Sequence, residues 1–287
     1  MKATIRKKTA PLIRLIIALA IMLYCLFPIF WLVLSSVKPR EELFLLPVSY
    51  IAKNPTFEYY ADLFIPASRL AQSLPFIHYM LNSLIVAGAS VIIVVFLSSI
   101  AGYGFSRFKF KGNRVMLLSL IVTRMLPGPA LMLPIYLMIS RMGLLDNLLS
   151  LIIVHSVFGL PLGIWLSASF IDNVPIEVEE AAIVDGCTRI MAFFRVVLPM
   201  SWIGIASVGI FHFVGSWSEF AFASILLESQ KMRTAPVGLA EFVFLLQTAQ
   251  INKIGAAAVV MSVPIVVLFM LVQKHFVRGF VAGSVKG

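Results

Sequence analysis

The sequence predicts an all-α polytopic membrane protein with six transmembrane helices and both termini cytoplasmic. Three observations predict it. First, 60% of the 287 residues are hydrophobic and 13% are charged, with a mean hydropathy of +0.99; a soluble domain carries about 25% charged residues. Second, six apolar stretches long enough to cross a bilayer can be marked, and six spans use roughly 120 residues, leaving room for loops but not for a large soluble domain. Third, lysine and arginine are unevenly shared between the two sets of loops. This composition excludes a soluble globular enzyme, and disorder or a collagen repeat as well. Two cysteines, Cys25 and Cys187, exclude a disulfide scaffold.

The spans are expected near 12–36, 81–104, 115–139, 149–170, 202–226 and 254–273. The first follows Lys2, Arg6, Lys7 and Lys8, which resembles the basic start of a signal peptide. Its apolar run is too long for one, no A-x-A site follows, and Tyr24 before Cys25 is too large for a lipoprotein cleavage site, so a retained helix is expected. The N-terminal segment, the 105–114 loop, the 171–200 loop and the C-terminal tail hold fourteen Lys and Arg against eight on the opposite side. By the positive-inside rule those fourteen face the cytoplasm. The same rule accounts for the net charge of +10 without nucleic acid. The third span holds Pro127, Pro129 and Pro134. Each proline removes a backbone donor, which leaves two readings: a simple kink, or the wall of a translocation path where a cavity satisfies the freed carbonyls.

The segment between spans four and five carries the most information. Asp172 or Asn173 is expected to cap a short helix, with Pro175 in its first turn. Glu177, Glu179 and Glu180 suit the positive end of the helix dipole, and Gly186 is expected to stop the helix in the left-handed conformation. A second helix, from Thr188 to Val197, then leads into a hinge at Leu198 and Pro199 where span five begins. The acids are either an ordinary solvated face or a docking element for a basic partner.

Glu180-Ala181-Ala182, three residues, Gly186, nine residues, then Val196-x-Leu198-Pro199 resembles the EAA motif of binding-protein-dependent ABC-transporter permeases. Val196 stands where that pattern has Ile. Further segments resemble the sugar-importer branch, in particular the second permease subunit of maltose-type importers: Gly102 to Gly112 after span two, Trp217-x-Glu219-Phe220 in span five, and Gly279 to Gly287 at the end. The likeness is firmest over about 77–272. It implies a type I ABC importer permease fold in the cell inner membrane, with residues 1–76 as tail, first helix and extracytoplasmic loop, 77–272 as permease core and 273–287 as cytoplasmic tail. It implies a second permease subunit as a heterodimeric partner, two ATP-binding subunits below, and an extracytoplasmic sugar-binding protein above, which the 38–78 and 227–252 loops would meet. Glu180, Ala181, Ala182 and Gly186 would then form the helix that docks on the ATPase, with Glu179 and Asp185 adding charge contacts. The chain has no G-x-x-x-x-G-K-[ST] phosphate cradle. It is therefore expected to bind no cofactor and to catalyse nothing itself, ATP and magnesium belonging to the partner.

Arg124 and Glu219 are the clear intramembrane ions. They are expected to contact the transported solute, to pair with each other, or to pack against the partner subunit. His155 and His212 lack carboxylate or cysteine companions at metal spacing and are expected as packed, hydrogen-bonded histidines rather than metal ligands. Gly159-x-x-x-Gly163, with Pro161 inside it, is a weak helix-approach motif. Two rivals stand beside the ABC reading. A metalloprotease would need H-E-x-x-H, and no histidine here is followed by glutamate. A secondary transporter would show related halves, and no repeat is evident. Within the ABC reading, a sugar phosphate or other small solute is the alternative to a sugar.

Overall fold

The computed structural model describes residues 2–43, 49–64, 75–245 and 251–284. The described residues are helices and the turns between them: α1 Lys2–Val37, α2 Arg40–Leu43, α3 Glu58–Phe64, α4 Phe76–Arg107, α5 Asn113–Thr123, α6 Gly128–Arg141, α7 Leu148–Asp172, α8 Ile176–Val184, α9 Arg189–Ala192, α10 Leu198–Trp217, α11 Ala221–Leu226, α12 Ala235–Leu245 and α13 Ile251–Ser284. Five are long and apolar enough to cross a membrane. The number is six if α5 and α6, bent 92° to each other, count as one span.

Four expectations are corrected here. The third span is broken rather than kinked: Arg124 to Pro127 interrupt it, because Pro127 and Pro129 cannot continue the hydrogen-bond ladder of α5. The fifth helix ends at Trp217, and the segment to 226 is the separate short α11. Residues 273–284, expected as a cytoplasmic tail, are helical and continue α13. Leu198 and Pro199 are not a loop-to-helix hinge. A π turn, Phe193–Val197, joins α9 to α10 without a break, and the Leu198 amide bonds the Phe193 carbonyl. Pro199 has no N–H for the carbonyl four residues back, and the wider turn absorbs that loss.

The chain divides into two compact units, residues 1–75 with 239–263, and residues 76–238 with 264–287. In the first, the chain after α1 is folded by polar contacts. The Glu42 carboxylate accepts from the Lys53 and Asn54 amides at 2.9 and 3.0 Å. Buried Lys38 donates to the Ser49 carbonyl and lies 4.9 Å from the Trp31 ring centre, so its charge is held by a carbonyl and a π face. Asn252 of α13 bonds the Lys38 carbonyl.

The second unit is built on α4, α7 and α10. Between apolar helices in lipid, close packing replaces the hydrophobic drive, so small residues mark the contacts. A Cβ on Gly102 would lie 2.7 Å from the Ala168 nitrogen, and one on Gly163 would lie 3.0 Å from Ser98 Cβ. One on Gly159 would reach 2.4 Å from His212 Nδ1. The Gly159/Gly163 pair is thus used fully, Pro161 notwithstanding. Ser167 donates to Ser98 across the α4–α7 contact at 3.3 Å. At the 76/148/217 end, Asn82 donates to the Lys231 and Arg233 carbonyls at 2.8 and 2.9 Å, and Asp146 accepts from the Ser229 amide at 2.8 Å, which pins the chain between α11 and α12.

Gly102→Ala is expected to destabilise this unit by about 1–3 kcal/mol through overpacking against backbone. Gly104→Ala, where a Cβ meets nothing within 4 Å, is expected to be near neutral. Thermal unfolding of the two purified variants in detergent compares them.

Candidate functional site

The elbow between α7 and α10 is built around α8. Its start differs from expectation. Helix α7 runs through Asp172, Asn173 caps the C-terminus of α7, and Pro175 is the N-cap of α8 with no side-chain cap bond. Its end is as expected. Gly186 has φ +95°. The Gly186 amide bonds the Ile183 carbonyl and the Cys187 amide bonds the Ala182 carbonyl, each at 3.0 Å, the paired bonds of a Schellman stop. Thr188 then caps α9, accepting from the Met191 amide at 3.2 Å.

Glu179 is the residue whose role changes most. It is 3% exposed and turned into the chain, not out toward a partner. Arg107, at the end of α4, places Nε 2.7 Å from its Oε2, with the two side chains 7% and 4% exposed. Tyr103 Oη donates to Oε1. Arg107 also donates to the Val174 carbonyl at 2.8 Å, and Ser106 donates to Asp172. Around this pair Tyr103, Ile171, Phe193 and Val197 form a small core, and Arg189 lies 5.6 Å from the Phe108 ring centre. The aromatic-basic segment and the Glu-Ala-Ala segment, seventy residues apart in the chain, thus make one structure.

With Glu179 turned inward, the outward surface is different from a plain acidic face. Glu177, Glu180, Ala181, Asp185 and Gly186 are exposed, and Ala182 is half-buried. Among them stand two apolar side chains that sequence reasoning missed, Val184 at 86% and Ile190 at 72% exposure. The signal was available: Val184 falls one turn beyond Glu180, on the same face. The exposed surface of this segment thus carries bare apolar side chains as well as carboxylates, the mixture found where an interface has an apolar core and a polar rim.

Arg124 and Glu219 lie on one cavity of about 220 Å³, together with His155, His212 and Ser216. They do not pair with each other. Glu219 Oε1 and Oε2 accept from the Phe222 and Ala223 amides at 2.7 and 3.0 Å, capping α11, and Oε2 is 3.4 Å from His155 Nε2. His155 Nδ1 is 2.6 Å from Ser216 Oγ. Arg124 donates to the Phe158 carbonyl at 2.7 Å. His155 is thus the packed, hydrogen-bonded histidine expected of it, whereas His212 Nε2 is buried with no partner among the described residues. Parts of the two loops expected to meet a binding protein, 44–48, 65–74 and 246–250, lie outside the described residues, as do the side chains of the Gly279–Gly287 segment.

With this geometry in place, the comparisons define the class. Residues 94–281 match the family model of the binding-protein-dependent transport system inner membrane component, and the chain belongs to that family of ABC transporter permeases. It is 33% identical over 266 residues to the inner membrane ABC transporter permease protein YcjP of Escherichia coli (strain K12), covering 93% of each chain. It is 29% identical over 283 residues to the trehalose/maltose transport system permease protein MalG of Thermococcus litoralis, covering 98% of this chain and 99% of that one. A bacterial ABC transporter involved in the import of the acidic polysaccharide alginate shares the fold, with a TM-score of 0.77 at 20% identity over 94% of this chain and 97% of that one.

Removing either member of a buried ion pair leaves the other charge uncompensated, at about 3–5 kcal/mol. Arg107→Leu and Glu179→Gln are each expected to loosen the elbow by about that much, and the double variant by less than their sum. Hydrogen exchange of the amides from 174 to 186 measures it.

Proposed function

We propose that this chain is a membrane-spanning permease subunit of an ATP-driven sugar importer, and that the α8 elbow is the coupling element gripped by a separate ATPase. The observation that carries the reading is a short helix, α8, that leaves Glu177, Glu180 and Val184 exposed, is followed by exposed Asp185 and Ile190, and is fixed to two long helices and locked to a third by Arg107–Glu179. A surface presented this rigidly delivers displacement to the bundle instead of absorbing it. Glu180, Ala181, Ala182, Asp185 and Gly186 are the docking residues, and Glu179 positions them. The sugar assignment is supported by the trehalose/maltose transport system permease to which the chain is similar.

On this reading the bent pair α5–α6 makes the sixth span, and both termini and the elbow face the cytoplasm. A second permease subunit completes the pore as a heterodimer, two ATP-binding subunits dock below, and an extracytoplasmic binding protein delivers the sugar. ATP and magnesium are held by the ATPase, and this chain binds no cofactor. ATP closure of the ATPase dimer moves α8, and α7, α10 and α4 follow as one body. The pore opens toward the binding protein, and hydrolysis resets it.

Two experiments test this. With Cys25 and Cys187 replaced by serine, a cysteine at Val184 is expected to crosslink to the co-expressed ATP-binding subunit; crosslinks confined to this chain or to lipid would remove the coupling claim. Gly186→Pro is expected to leave membrane insertion intact while cutting ATP-driven uptake severely. Proline forbids the positive φ at 186 and removes the amide that bonds Ile183. Radiolabelled uptake normalised to membrane abundance reads it.

A further inference from the structure

Two interruptions of helix lie within the apolar stretches of the second unit, at 124–127 between α5 and α6 and at 218–220 between α10 and α11. In a bilayer, non-helical backbone persists only where protein buries it or where it lines a water-filled cavity. Both interruptions open on the same 220 Å³ cavity, Arg124 coming from the first, Ser216 and Glu219 from the chain flanking and forming the second. Broken helices that converge on a polar pocket are how transporters build solute sites away from the bulk phases.

The polar groups of this cavity divide into committed and uncommitted. Glu219, His155 and Ser216 are engaged with the chain: the carboxylate serves two backbone amides and His155, the other nitrogen of His155 serves Ser216, and Ser90 donates to Ser216. They hold the wall in place. Arg124 has one bond to the Phe158 carbonyl, and a guanidinium carries five N–H donors. His212 has one ring nitrogen buried without a partner, and its ring is seated there because Gly159 has no side chain. Phe158, Phe211 and Phe222 add ring faces to the same walls. The result is an apolar, aromatic-lined hollow with one donor-rich cation and the His212 imidazole in its wall. It is smaller than the ~300–1,000 Å³ of pockets for whole drug-sized ligands, so it suits a single ring.

We propose that this cavity is a subsite for one monosaccharide unit of the transported sugar, with Arg124 and His212 bonding its hydroxyls and the phenylalanine rings meeting its C–H faces. The proposal rests on the sugar-importer reading and adds that this subunit, and not its partner alone, touches the solute along the path. Negative Glu219 offsets Arg124, so the site accepts an uncharged ring.

The test uses the assembled transporter with its binding protein in proteoliposomes energised by ATP. The probes are radiolabelled maltose and trehalose, each assayed alone. His212→Leu keeps the volume and removes the nitrogen, and Arg124→Met removes the cation. Each is expected to lower uptake per co-purified complex by about tenfold, the scale of one lost hydrogen bond to a polar group. His212→Gln, which can still bond a hydroxyl, is expected to retain most of the rate. In a complex lacking Cys25 and Cys187, a cysteine at Leu162 in the cavity wall is expected to react more slowly with a charged methanethiosulfonate when the loaded binding protein is added, and this readout does not depend on how well the other variants assemble. Uptake of neither sugar by the unmodified complex would overturn the sugar reading itself. Normal uptake by both His212→Leu and Arg124→Met, or no protection at Leu162→Cys, would overturn the subsite while leaving that reading in place.

Discussion

A buried guanidinium–carboxylate pair, Arg107 with Glu179, holds the informative end of this molecule together. Isolated, either charge would be costly to bury. Together, with Tyr103 on one carboxylate oxygen and the Val174 carbonyl on the guanidinium, every strong polar group at the junction has a partner. The pair joins the end of α4 to the middle of α8, so the short helix is fastened at three places: to α7 through residues 173–175, to α10 through the Schellman stop and the π turn, and to α4 through the ion pair. A nine-residue helix has little intrinsic stability, and these attachments supply what propensity cannot.

Polar bonds matter differently along the bundle. There the solvent is as apolar as the side chains, and association depends on how near the backbones come. Gly102 against Ala168, Gly163 against Ser98 and Gly204 against Phe170 are sites where a methyl group would already collide. Serines at the same contacts return their hydroxyls to the preceding turn or across to a neighbouring serine, so they add closeness without exposing an unsatisfied group to lipid. Large apolar residues such as Ile92, Phe96 and Trp202 lie outward, where a soluble protein would place charges.

Much of this was legible in the residues. Hydropathy located five long helices and the bent pair, because apolar runs of span length have few other uses. Gly186 was readable as a left-handed stop because only a few residues accept that conformation. The misses share a cause. Glu179 looked like one acid among five, since nothing in local sequence says that an arginine seventy-two positions earlier lies against it. Leu198-Pro199 looked like a boundary because proline usually ends a helix, whereas a π turn let the helix pass. Arg124 and Glu219 stood out as intramembrane ions and suggested a pair, but backbone amides at the start of α11 compete for the same carboxylate and are nearer in the chain. Val184 and Ile190 escaped notice because apolar residues are unremarkable in such a composition until burial separates the bare from the packed.

The two sites then divide the mechanical work between them. Close-packed interiors transmit displacement because they have no slack, and α4, α7 and α10 are close-packed along their shared length and bolted to α8 at one end. A shift of the elbow therefore moves those helices together, with little deformation among them. What yields must lie where the ladder of backbone hydrogen bonds is interrupted, and within the second unit's apolar stretches that means residues 124–127 and 218–220. Those are the segments that border the polar cavity. On the proposed reading, a load applied at Val184 and Ile190 is relieved at the walls of the hollow that holds Arg124 and His212, and rigidity at one end with broken helix at the other would tie the nucleotide cycle of a partner chain to the shape of the solute path.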